Sequence, residues 1–208
     1  MVNIKDYLKA PCRELSIPYW KAKLLAVSDE IKIVHQDHFN KGEYTQFIDE
    51  PYFRLRHDLK NLFAPQLPQG YSLCDASLAD FARHIKQCYD DISISEKELQ
   101  SYTVRPVYVP SLWLAVRDNE THDIVATGIA ELDGECHEGV LEWVQVSKNY
   151  RRCGLGSYIV AELLWRMKDM AQFVTVSGQC DNPSSPEGLY RKCGFTGNDV
   201  WHILRKRN

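Results

Sequence analysis

The stretch from Val140 to Met170 constrains this chain more than any other. An apolar, strand-like run (Val140 to Val146) leads through a turn with two glycines into a helix pattern at Leu155, Ile159, Leu163, Met167 and Met170. A strand that is apolar on both alternating faces suits a sheet covered on both sides, and a helix with one apolar stripe packs that stripe on such a sheet. The turn reads Ser147-Lys148-Asn149-Tyr150-Arg151-Arg152-Cys153-Gly154-Leu155-Gly156-Ser157. Its glycines let backbone approach a ligand closely. The N–H groups of the first helical turn, with the positive end of the dipole, favour a phosphate there. The dinucleotide-binding fingerprint needs a third glycine and an acidic partner about 20 residues on, and the phosphate loop needs Gly-Lys-Ser/Thr. Neither is present. A purely structural turn would use the same glycines, so the pair alone leaves both readings open.

Around this unit the pattern predicts further elements. Ile31 to Val34, Phe53 to Arg56 and Tyr71 to Cys74 read as strands, with a short helix around Tyr19 to Leu25. Leu78, Phe81, Ala82, Ile85, Cys88 and Tyr89 share one helical stripe behind a cap at Asp75 or Ser77, and Ser95-Glu96-Lys97-Glu98 is a capping box. Leu112 to Val116 and Ile124 to Ala130 flank Asp118 to His122 as an antiparallel hairpin. Phe173 to Val176, a helix near Glu187 to Lys192 and a strand around Val200 to Leu204 close the chain. That order calls for an α/β (α+β) fold with a mixed sheet and helices on both faces. Pro65-Gln66-Leu67-Pro68-Gln69-Gly70 denies both helix and ladder bonding. It suggests a boundary: residues 1–69 as an N-terminal extension packed on the core, and 70–208 as the main domain.

Composition narrows the function classes. Seven cysteines without a CxxC pair argue against a disulfide framework and a zinc site, and His35-Gln36-Asp37-His38 and Cys136-His137-Glu138 offer too few converging ligands. No metal is expected. No run reaches the roughly 18 apolar residues of a membrane helix, and the first residues lack a signal-peptide core. The expectation is a cytoplasmic protein with no membrane partner. From Val140 onward ten Lys/Arg stand against six Asp/Glu, whereas the preceding residues carry fifteen against twenty-two. A basic final third on an acidic chain suits a compact anionic ligand and not nucleic acid.

Two motifs carry a family resemblance. Arg151-x-x-Gly154-x-Gly156 directly after a strand, and Leu189-Tyr190-Arg191-Lys192-Cys193-Gly194-Phe195 about 35 residues later, resemble the signatures of the GNAT superfamily of acyl-CoA-dependent N-acyltransferases. The resemblance covers about residues 70 to 204. It implies a mostly antiparallel sheet whose fourth strand splays from the fifth, and acetyl-CoA as co-substrate. The pantetheine arm would pair with Val144 to Val146, and amides of Arg151, Arg152, Cys153, Gly154, Leu155, Gly156 and Ser157 would hold the pyrophosphate. Asn182 stands for the asparagine after the fifth strand, although seven residues, one more than in the family, separate it from Leu189.

Transfer of an acetyl group to an amine needs a proton acceptor and a donor for the departing thiolate. Glu142 is the candidate acceptor: among Val140, Leu141, Trp143 and Val144 a carboxylate is expensive to bury, and burial favours its protonated form. A Glu paired with a buried Arg is the alternative. Tyr190 is the candidate donor, a phenol being protonated at pH 7, or else a core tyrosine. Cys153, at a helix start beside two arginines, has the surroundings of a reactive thiol, but no His or Asn partner is evident for a nucleophile. Trp113 and Trp143 fit core packing better than an acceptor pocket. The resulting expectation is an N-acetyltransferase acting on a small-molecule or peptide primary amine in a ternary complex, possible as a homodimer. The alternative is a non-catalytic acyl-CoA-binding module whose N-terminal segment binds a protein.

Overall fold

The computed structural model describes residues 2–24, 28–90 and 92–207. In chain order the helices and strands are α1 (Ile4–Lys9), α2 (Pro11–Glu14), α3 (Tyr19–Ala22), β1 (Ile31–His35), β2 (Phe47–His57), β3 (Tyr71–Cys74), α4 (Leu78–Cys88), α5 (Glu96–Tyr102), β4 (Trp113–Asp118), β5 (Ile124–Asp133), β6 (Glu138–Val146), α6 (Leu155–Met167), β7 (Phe173–Gln179), α7 (Pro186–Lys192) and β8 (Thr196–Lys206). Backbone hydrogen bonds order the strands β1-β8-β2-β7-β6-β5-β4-β3. The pairs β1/β8, β2/β8, β3/β4, β4/β5 and β5/β6 are antiparallel, giving the mixed, mostly antiparallel sheet that the element order calls for. No helix among the described residues is long and apolar enough to cross a membrane.

Contacts divide the chain into two units, residues 1–58 with 175–208, and residues 59–174. This differs from the boundary the prolines suggest at residue 70, for two physical reasons. Strand β2 runs to His57 and pairs with β8 from Phe47 opposite Lys206 to Arg56 opposite Thr196. The proline segment belongs with the second unit: the Gly70 carbonyl accepts from Asn119 N–H at 3.0 Å.

In the first unit β2 lies between β7 and β8 in the hydrogen-bonded order. The sequence shows only its Phe53 to Arg56 portion, because Asp49-Glu50-Pro51 breaks the alternation. Pro51 has no N–H to give, yet its carbonyl accepts from Cys180 N–H at 2.9 Å. Arg54, 1% exposed, donates to Ser177 Oγ (3.1 Å), Tyr7 Oη (3.0 Å) and Thr175 Oγ1 (3.3 Å), joining α1, β2 and β7 through one guanidinium. The expected helix at Tyr19 ends at Ala22, and its last expected residue, Leu25, lies outside the described residues.

In the second unit Ser77, not Asp75, caps α4, in a capping box with Asp80, and the expected Ser95–Glu98 box opens α5. Phe81 and Ile85 of α4 pack with Leu99, Ala115 and Ile129, and Trp113 and Trp143 pack against this cluster, so both tryptophans serve the core. Helix α6 lies on the opposite face: Gly128, next to Ile129 in β5, is where a Cβ would run into Ile159 Cγ2 and come within 3.1 Å of Leu163 Cδ1. Strand β6 has a bulge. Ile129 pairs with Trp143 and Ala130 with Leu141, so the register skips Glu142, the extra residue of the bulge.

Because α6 seats directly on a bare backbone, Gly128→Ala should destabilise the protein by about 1–3 kcal/mol through overpacking. Urea denaturation should show a lower midpoint at an unchanged slope.

Candidate functional site

The turn from β6 to α6 is built from left-handed backbone. Lys148–Tyr150 make one 3-10 turn. Arg152 at φ 65° and Gly154 at φ 84° then turn the chain into the helix. Gly154 is the N-cap, and no side chain caps the helix. Gly154, having no side chain, supplies no capping oxygen to the first-turn N–H groups. Arg151, Arg152, Cys153, Gly154 and Ser157 are exposed and Gly156 half-buried, whereas the Leu155 side chain is buried in the core and offers a ligand only its N–H. Arg151 Nε donates to the Val146 carbonyl at 3.3 Å, folding its side chain along the end of β6. A Cβ at Gly154 would lie 3.3 Å from Pro68 Cγ, so the proline segment backs the turn. Tyr71 adds a hydrogen bond with the Cys153 side chain; burial, then Cys153, pushes its phenol above the ordinary range. The seven residues named from the sequence, Arg151 through Ser157, are contiguous along this turn and the first turn of a 13-residue helix.

Glu142 sits on the bulge, half-buried, followed by half-buried Trp143 and Val144. The sequence placed its carboxylate among apolar neighbours on both faces. The bulge instead opens the strand at this point, and Gln145 after it is buried again. Val144 and Val146 pair with Gly128 and Ala126 of β5. In the other unit, Tyr190 is 7% exposed on α7, with its ring 6.2 Å from that of Phe53 and 5.8 Å from that of Phe195. Asn182 closes the turn before α7: its Oδ1 accepts from Ser184 N–H (2.9 Å) and Ser184 Oγ (2.6 Å).

Sequence reasoning missed a polar network below the cradle. His84, 2% exposed, lies on the apolar stripe of α4, three residues after Phe81 and four before Cys88. Its Nδ1 is 2.9 Å from Thr127 Oγ1 and its Nε2 is 3.0 Å from Ser147 Oγ and 3.5 Å from Cys88 Sγ. Gln145 Nε2 also donates to Thr127 Oγ1. Burial brings the His84 pKa down from 6.5 to about 4, against a smaller opposing effect of a hydrogen bond to the Val125 backbone. A polar residue on an otherwise apolar stripe was the available signal. Beside this network lies a cleft of about 660 Å³ lined by Asp75, Arg83, His84, Arg117, Asp123 and Lys148 among others. Glu142 does not line it.

The comparisons with known proteins agree with this geometry. Residues 110–197 match the acetyltransferase (GNAT) domain family. The GCN5-related N-acetyltransferase of Sphaerobacter thermophilus superposes at TM-score 0.67 with 17% identity, covering 90% of this chain and 63% of that one. A Drosophila protein follows at TM-score 0.59 and 19% identity, with 90% and 56% covered. A functionally unknown conserved protein of Staphylococcus epidermidis gives TM-score 0.61 and 14% identity, with 100% and 82% covered. The chain thus spans less than two thirds of the length of the Sphaerobacter and Drosophila proteins. No curated protein sequence matches it. Residues 110–197 thus match the acetyltransferase (GNAT) domain model, and the fold of the chain is the one these solved structures share.

His84 also makes stability depend on pH in a defined direction. Its folded pKa of about 4 lies below the ordinary 6.5, so between these values the unfolded chain binds more protons. Stability is therefore full above pH 6.5 and falls as the pH drops towards 4, by up to about 3 kcal/mol from this group. Denaturant midpoints measured at pH 7 and pH 5 should differ in wild type, and the difference should shrink in His84→Gln.

Proposed function

We propose that the protein is an acetyl-CoA-dependent N-acetyltransferase that acetylates a primary amine by direct attack within a ternary complex. The observation that carries this reading is the cradle, an uncapped helix start with a left-handed glycine N-cap and exposed residues from Arg151 to Gly154. Such a site matches a diphosphate in charge and in donor count. Acetyl-CoA, bound there, would supply the activated acetyl group as a thioester.

The chain's own residues have these roles. Amides of Arg152 through Ser157 grip the diphosphate, and Arg151 and Arg152 add positive charge beside it. Val144 and Val146 on β6 give the pantetheine arm a strand to run along, and the Val144 N–H polarises the thioester carbonyl. Glu142, set by the bulge on a partly open stretch of strand, takes the proton that the amine gives up as its C–N bond forms, directly or through water. Tyr190 gives its proton to the sulfur as the C–S bond breaks. The acidic residues before Val140 favour a cationic acceptor. Asn182 contributes at the cofactor only through the turn it shapes ahead of α7. No metal takes part in this scheme, and the setting is cytoplasmic.

Release of free thiol from acetyl-CoA against a panel of amines tests the reading, and a chain that binds coenzyme A yet acetylates none of them would be a binding module instead. Glu142→Gln and Tyr190→Phe should each lower kcat by about 10²-fold or more with the Kd for coenzyme A little changed. Gly154→Ala must place a Cβ in left-handed backbone, at a cost of about 1–2 kcal/mol, and should weaken coenzyme A binding in calorimetry.

A further inference from the structure

Ser147 is the residue on which the cradle hangs. It follows β6 directly, and three separate hydrogen bonds converge on it. Its N–H donates to the Val125 carbonyl at 2.9 Å, its carbonyl accepts from Tyr150 N–H at 2.9 Å, and its hydroxyl meets His84 Nε2 at 3.0 Å. The first bond continues the sheet and the second closes the 3-10 turn. The third ties the turn to another layer of the unit through a side chain on α4, where the Ser147 hydroxyl also bonds the Cys88 side chain, and Lys148 Nζ meets Asp90 Oδ1 at 3.0 Å just beyond that helix. Four residues later the cradle begins at Arg151.

The chemistry of His84 suits that task. A neutral ring has one donor and one acceptor nitrogen, and the hydroxyls of Thr127 and Ser147 can each play either part, so both bonds form in either tautomer. Thr127 is held in turn by Gln145, which stands two residues before Ser147 on β6. The network therefore closes on itself: α4 to β5, β5 to β6, and the end of β6 back to α4. A closed buried network of this kind fixes geometry, since moving one member leaves another buried polar group without its partner. An apolar residue at position 84 would fill the same space between Phe81 and Cys88 but would leave the Ser147 hydroxyl without its histidine partner.

We propose that His84 is a positioning residue for the phosphate cradle: by holding the Ser147 hydroxyl it sets where the Arg151 to Ser157 amides stand, and so sets affinity for the CoA diphosphate. This rests on the acetyltransferase reading above. It requires no contact between His84 and the ligand.

The test is calorimetric titration of the full chain with coenzyme A, alongside steady-state kinetics with acetyl-CoA. Ser147→Ala removes the hydroxyl from a half-buried site and keeps the histidine; His84→Leu removes the ring nitrogens. Each should raise the Kd for coenzyme A and the KM for acetyl-CoA about five- to tenfold, with kcat at saturation changed less than twofold. The double variant should be no weaker than the worse single one, because both remove the same bond. His84→Gln, which keeps a donor and an acceptor, should recover most of the lost affinity. A purely structural role would instead lower the melting temperature and leave Kd and KM in place. Folded Ser147→Ala with wild-type Kd overturns the proposal, and it carries the test even where His84→Leu fails to fold. Wild-type chain that binds no coenzyme A would overturn the acetyltransferase reading itself, an outcome separate from any difference among variants.

Discussion

The site depends on a single conflict in the turn between β6 and α6. The chain must leave a sheet, reverse, and enter a helix within a few residues, and it must do so without capping that helix. An ordinary N-cap supplies a Ser, Thr, Asp or Asn oxygen that satisfies a first-turn N–H. Here the N-cap is Gly154 in left-handed conformation, which lets the chain turn and supplies no capping side chain. An uncapped helix is the less stable choice taken alone. The turn tolerates it because Leu155 is buried directly behind the first turn and Pro68 supports Gly154 from outside.

A second constraint acts on the Glu142 stretch. A regular strand would alternate Leu141, Glu142 and Trp143 strictly between the two faces, and a carboxylate there would be driven into an apolar layer. The extra residue in β6 relaxes this by taking Glu142 out of register with β5. The position is then partly open to solvent without losing the ladder on either side. Bulges are suited to this use, since they re-aim one side chain at the cost of one pair of ladder bonds.

The sequence made local features legible and left non-local ones hidden. The Ser95–Glu98 capping box, the α4 stripe, the β4–β5 hairpin and the helix after the glycine turn could be read because each signal and its structural consequence lie within one or two turns of chain. The cradle residues Arg151 to Ser157 could be read for the same reason. The full extent of β2 could not: its partner β8 lies about 150 residues away in the chain, and Asp49-Glu50-Pro51 looks like a loop until the Pro51 carbonyl is seen to accept from Cys180. His84 was hidden in a different way. Its polarity stood out on the stripe, but its partners Thr127 and Ser147 come from two other strands.

What the sequence determined by itself was the order of elements and the chemistry of the phosphate turn, because periodicity, caps and glycine backbone freedom are properties of adjacent residues. Which strand lies between β7 and β8, where β6 bulges, and what anchors the turn were decided only by the tertiary structure. Each of those is a choice between hydrogen-bond partners distant in the chain, and a buried polar group takes whichever partner the packed fold brings within about 3 Å of it.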